Sequence, residues 1–190
     1  MPTITYDPIL ETTAPVTTPR TNTALVLETL RGQRLVVLHG EPVPHRPTGG
    51  YRRAHLVDLA LHQLVLEAQL PSKDRTFPFD ATVSFTCQVT NPAMISAGEL
   101  HDLTAAVRPR LVKILRAVAQ RYDVLDVAVA EAALNSALDR HYGNSALRLG
   151  RFVVELETGD LSALHELRRL TRWLAPVSPP VRSRPVFPRQ

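Results

Sequence analysis

The residues with chemistry to offer are seven histidines, one cysteine and scattered carboxylates in a chain of 190 residues. The histidines are His39, His45, His55, His62, His101, His141 and His165. No two stand four apart, the spacing that puts two imidazoles on one helix face for a metal. His39, His45 and His55 surround a proline-rich loop and are the one set that could converge. With a single cysteine and no dense run of carboxylates to complete a ligand set, we expect no metal and no cofactor. The nucleophile elbow GxSxG, the phosphate loop GxxxxGK[ST] and the dinucleotide fingerprint GxGxxG do not occur. His101 and Asp102 are adjacent, but side chains at i and i+1 of a helix do not face each other. Asp123, Asp126 and Glu131 read as helix caps and dipole partners. Cys87 falls on the apolar side of an alternating stretch and reads as a buried thiol, not a nucleophile. The expectation is a noncatalytic chain without a small-molecule substrate.

Contact chemistry is better represented. Residues 161–174 follow Gly159 and Asp160, the latter an N-cap type. At about 100° per residue, Leu164, Leu167, Leu170, Trp173 and Leu174 fall on one side. His165, Arg168, Arg169 and Arg172 fall opposite. A basic face beside leucines and a tryptophan suits a helix lying in an anionic headgroup layer, where each nearby arginine adds about 1 kcal/mol. The same leucine stripe suits packing on its own domain, a second copy or a partner protein. Leu164, Leu167, Arg168, Arg169, Leu170, Arg172, Trp173 and Leu174 are therefore the expected membrane or partner contacts.

Charge is concentrated in the same region. From residue 161 onward there are six arginines and one acid, a net +5. Residues 1–160 hold sixteen basic and seventeen acidic residues, a net −1. Only the tail has the electrostatics for nonspecific nucleic-acid contact, and the body shows no zinc finger or RNP-like aromatic platform. Nucleic acid is thus the least favoured partner.

Composition bounds the class. A content of 44% hydrophobic and 21% charged residues is that of a globular protein and excludes wholesale disorder. No apolar run approaches the ~18 residues of a membrane-spanning helix, and no secretory signal opens the chain. A lone cysteine fits a reducing compartment, so we expect a cytoplasmic protein, at most peripheral to the inner face of the membrane.

These residues must be positioned by a middle segment flanked by two tails. Residues 1–22, rich in Thr and Pro, read as a disordered arm, and residues 175–190 as a disordered Pro/Arg tail. Between them, residues 24–30 and 34–39 predict two strands about a turn at Gly32. Residues 40–50 predict a loop, and residues 56–70 fit a helix and two strands equally well. The clearest signal is Phe79–Val89, eleven residues of strict alternation. Asn91-Pro92 ends it. Leu100, Leu103, Val107, Leu111, Ile114 and Val118 then recur at helical spacing, with Pro109 predicting a kink or two abutting helices. A further helix buries Val127, Ala130, Leu134, Ala137 and Leu138. A last strand, residues 147–157, changes apolar phase at Gly150, which predicts a bulge there.

This order resembles the SPFH, or band 7, domain of stomatins, prohibitins and flotillins. The residues that carry the resemblance are Tyr51-Arg52-Arg53, Leu56-Val57-Asp58-Leu59 and Ser72-Lys73-Asp74. The strand Phe79–Val89 with its Asn91-Pro92 ending, the helix core 111–118, Tyr122-Asp123-Val124 and the strand 150–156 continue it. The resemblance implies an α+β fold over residues 23–160, an antiparallel or mixed sheet with two or three packed helices, and it favours strands over residues 56–70. It also implies a noncatalytic scaffold that forms homo-oligomers and associates with membranes or membrane proteins. The family's hydrophobic hairpin and long coiled coil have no counterpart in these 190 residues, which leaves residues 161–174 as the expected contact element.

Overall fold

Strand β6, Phe79–Val89, organises the first half of the core. Its side chains alternate between a buried and a half-exposed face along the whole strand. The buried set is Phe79, Ala81, Val83, Phe85, Cys87 and Val89. Period two puts these on one face, and burying each large side chain contributes about 1.5–3 kcal/mol. β6 is the centre of an antiparallel sheet with β5, His62–Leu70, and β7, Leu147–Thr158. Leu66 and Val154 lie opposite Val83 on either side, and Phe85 stacks on Phe152 with centroids 5.7 Å apart.

A computed structural model describes residues 6–11, 18–44, 50–141, 143–159, 162 and 166 of the chain. The first compact unit runs to Gly159. It contains a second antiparallel sheet of β1, Ile9–Glu11; β2, Thr23–Thr29; β3, Arg34–Leu38; and β4, Tyr51–Asp58, in the order β1-β4-β2-β3. Every pairing in both sheets is antiparallel. Three helices connect β6 to β7: α1, Pro92–Ala97; α2, Leu103–Ala119; and α3, Val127–Leu138. The fold is thus α+β, and residues 56–70 are strands β4 and β5 separated by a short turn.

The helices follow from local chemistry. Asp102 caps α2 by accepting the Ala105 N–H at 2.9 Å. Leu103, Val107, Leu111, Leu115 and Ala119 form its buried stripe at four-residue spacing. α2 packs on β5 and α3 packs on β7. The sequence predicts a kink or two helices at Pro109, but α2 runs through it as one helix. Pro109 and Ala105 both face solvent, so water can take the carbonyl of Ala105 that the proline cannot serve. α1 is absent from the sequence reading. It is a six-residue helix started by Asn91, whose side chain accepts the Met94 N–H, with Pro92 in the first turn.

One further expectation needs correction, and another is met. Residues 1–22 read as a disordered arm, yet Tyr6–Glu11 are ordered: β1 pairs with β4, and Ile9 is buried. Three apolar or aromatic side chains were too few to signal a strand locally, but a sheet edge supplies the missing partner. The bulge occurs in β7 where expected, between the pairs Ser84↔Val153 and Thr86↔Gly150. Its left-handed residue is Arg151, at φ 49°. Gly150 is held by its carbonyl, which accepts the Thr86 hydroxyl at 2.9 Å.

Candidate functional site

Of the contact residues expected from sequence, Leu164, Leu167, Arg168, Arg169, Leu170, Arg172, Trp173 and Leu174 lie outside the described residues. In that segment Ser162 and Glu166 are described, and both are helical. Among the described residues no helix is long and apolar enough to cross a membrane.

Within the first unit, a group of titratable side chains gathers at the turn between β4 and β5. Asp58 ends β4 and His62 begins β5. Asp58 Oδ2 accepts the Tyr6 hydroxyl at 2.5 Å and lies 3.0 Å from His62 Nε2. Its Oδ1 accepts the Ala60 N–H at 2.7 Å. The Tyr6 ring stacks on His62 with centroids 3.9 Å apart. Burial opposes ionisation of Asp58, but the Tyr6 hydroxyl, the Ala60 N–H and His62 outweigh it and hold the carboxyl below its ordinary range. Burial, then the Asp58 bond and charge, push the Tyr6 phenol far upward, so it stays a donor.

The same segment is tied at further points. Asp7 is 3.1 Å from His101 Nδ1 and accepts the Ile9 N–H at 2.8 Å. The Tyr6 carbonyl accepts the Leu103 N–H, and the Pro8 carbonyl accepts the Asp58 N–H. A carboxylate beside an imidazole resembles the base half of a hydrolytic triad. Here the hydroxyl in reach is Tyr6, which donates to the carboxylate and not to the imidazole. The arrangement acts as a clasp holding the N-terminal segment onto both sheets. The sequence reading missed it because its members are 52 residues apart.

The remaining candidates resolve individually. His39 Nδ1 bonds the Pro19 carbonyl, His55 is buried in β4, and His45 lies outside the described residues. His101 and Asp102 point to different tasks, the first toward Asp7 and the second to the cap of α2. Cys87 is buried on the core face of β6, and burial pushes its thiol up to about 11. Asp126 occupies the N-cap position of α3 without a side-chain cap bond, and Asp123 accepts the Leu125 N–H in the preceding turn. Glu131 is not a dipole partner: it reaches the free edge of β7 and accepts the Leu156 N–H at 2.8 Å. Asn135 accepts the Val154 N–H beside it at 2.9 Å. Two side chains of α3 thereby satisfy an edge that could otherwise recruit a strand. Among the described residues no group of three or more His, Cys, Asp or Glu could hold a metal ion.

Among the described residues, no element packs on two surfaces. One is the polar face of the β5-β6-β7 sheet, which includes Asp80, Thr82, Ser84 and Thr86. The other is the outer face of α2, with exposed Arg108, Lys113 and Arg116. Compared with known proteins, the chain matches no family model and no curated protein.

Proposed function

We propose that this chain is a noncatalytic, self-assembling scaffold domain of SPFH type that works at the inner face of a membrane without crossing it. The observation that carries the reading is the order of elements: six strands, three helices and a closing strand, with the long alternating strand β6 before the helices. The resemblance rests on strands, the long alternating strand, two helices and a closing strand, an order this chain keeps with β1 and α1 added to it. The surface adds support. Val36 and Leu38 are exposed on the edge strand β3, and the β5-β6-β7 sheet has an open face. The Tyr6–Asp58–His62 cluster, by contrast, is consumed in holding the fold together. The sequence of residues 161–174 suits a second contact, its leucines and Trp173 fitting lipid or a partner and Arg168, Arg169 and Arg172 fitting anionic headgroups. One short helix binds weakly, and an assembly of copies binds collectively.

The test is the native mass of the full chain by light scattering, followed by flotation with anionic vesicles. A mass several times 21.1 kDa, with flotation lost on truncation after Asp160, is the expected result. A monomer that ignores vesicles overturns it and makes the chain an adapter that docks a partner protein through residues 161–174.

A further inference from the structure

The two uncovered faces carry opposite charge. On the open sheet face, Asp80 of β6 stands directly opposite Glu157 of β7. One step along, Thr82 lies between Glu67 of β5 and Glu155 of β7. Four carboxylates therefore occupy two adjacent rows. Like charges directly opposite across a sheet are destabilising. Glu155 and Glu157 are exposed and enter no ion pair among the described residues. Asp80 receives only the Gln69 amide, at 3.3 Å.

On α2 the pattern is the reverse. Arg108, Lys113 and Arg116 are exposed, and the helix contains no acidic residue. None of the three joins an ion pair among the described residues. Arg108 and Arg116 share a face with Val112 between them, and Lys113 lies alongside. The ridge from Arg108 to Arg116 is about 12 Å long, and the acidic rows cross three strands, about 10 Å. The two patches adjoin, because Arg108 also borders the shallow depression formed by Glu67, Asp80 and Glu157.

We propose that these faces form a self-complementary docking surface for a second copy of this chain, with the α2 ridge of each copy lying on the acidic rows of the other. Adjoining patches of opposite sign pair in both directions at once under a two-fold axis. A polyanion such as nucleic acid fits less well, because the ridge that would attract it borders the carboxylates of Asp80 and Glu157, which repel it. The proposal rests on the self-assembly reading above and deepens it by naming the surface.

The experiment uses the full chain with Arg116→Glu, Glu157→Arg and an equimolar mixture of the two variants. Both sites are exposed, and circular dichroism checks that each variant is folded. Wild type is expected to associate at low salt and to weaken at least tenfold at about 0.5 M salt. Each single reversal is expected to weaken association at least tenfold at low salt, and the mixture to restore it. Native mass unchanged by either reversal, or a mixture that is not restored, overturns the proposal while leaving the scaffold reading intact. A wild-type monomer at every salt and concentration overturns both. A low-salt gel shift with DNA that Arg116→Glu abolishes, in a chain that stays monomeric, assigns the ridge to a polyanion and overturns it too.

Discussion

β2 and β6 are both central strands, and they are built on different rules. Every residue of β2 is buried, whereas β6 alternates between buried and half-exposed positions. β2 is covered on both faces. Leu25 and Leu27 pack with Val37, Val43 and Tyr51, and α1 lies against the sheet. β6 buries one face, and α2 and α3 pack on its neighbours β5 and β7. A strand with two dry faces reads as a continuous apolar run, and a strand with one dry face keeps its polar half for water or a partner. The contrast locates the surface available for contact on the β5-β6-β7 sheet.

The largest expected effect tests the dry faces. Phe85→Ala should cost about 3–5 kcal/mol and Leu27→Ala about 2–5 kcal/mol, because each leaves a cavity in a closed core. Urea unfolding measures both, and a loss below about 1 kcal/mol at either site would break the claim that both sheets have a fully closed face.

Glu131→Ala comes next. It strips an acceptor from the Leu156 N–H and should cost about 1.5–3 kcal/mol, with faster amide exchange at Leu156. Unchanged exchange would mean that α3 does not guard that edge.

Acidification should weaken the fold in two stages, both set by residues of β4. His55 is buried, and burial, followed by the charge of Arg53, lowers its pKa from the ordinary 6.5. The folded state therefore binds fewer protons there than the unfolded state. Its stability contribution is complete above pH 6.5 and falls as pH drops below it. Asp58 is also lowered, from 3.8, so its contribution persists to lower pH and is lost as pH falls through the folded value. Urea midpoints from pH 8 to pH 3 should show a first decline that His55→Leu removes and a second that Asp58→Asn removes. An identical profile in either variant would refute its assignment.

The smallest effect sharpens the contrast. Ser84→Val on the open face of β6 should change stability by no more than about 0.5 kcal/mol. A loss of several kcal/mol would mean that this face is already covered.

Much of the fold was legible where a pattern repeats locally. The alternation of β6, the stripe of α2 and the phase slip in β7 each repeat within a dozen or so residues. The clasp was not legible, because Tyr6, Asp58 and His62 acquire meaning only when the N-terminal segment lies on the sheet edge. α1 was missed because six residues are too few to display a helical period. The expected contacts Leu164, Leu167, Arg168, Arg169, Leu170, Arg172, Trp173 and Leu174 lie outside the described residues.

By itself, the sequence determined which faces of β6, α2 and β7 must be dry, because side-chain periodicity and the cost of burying polar groups act residue by residue. It also determined the turn at Gly32, where φ is 77° and a side chain would be strained. Only the tertiary structure decided that residues 6–11 join a sheet, that Glu131 and Asn135 close an edge, and that Arg108 of α2 borders Glu67, Asp80 and Glu157. Those contacts join residues far apart in the chain, where the cost of closing the intervening loop is repaid by the whole fold and leaves no local trace.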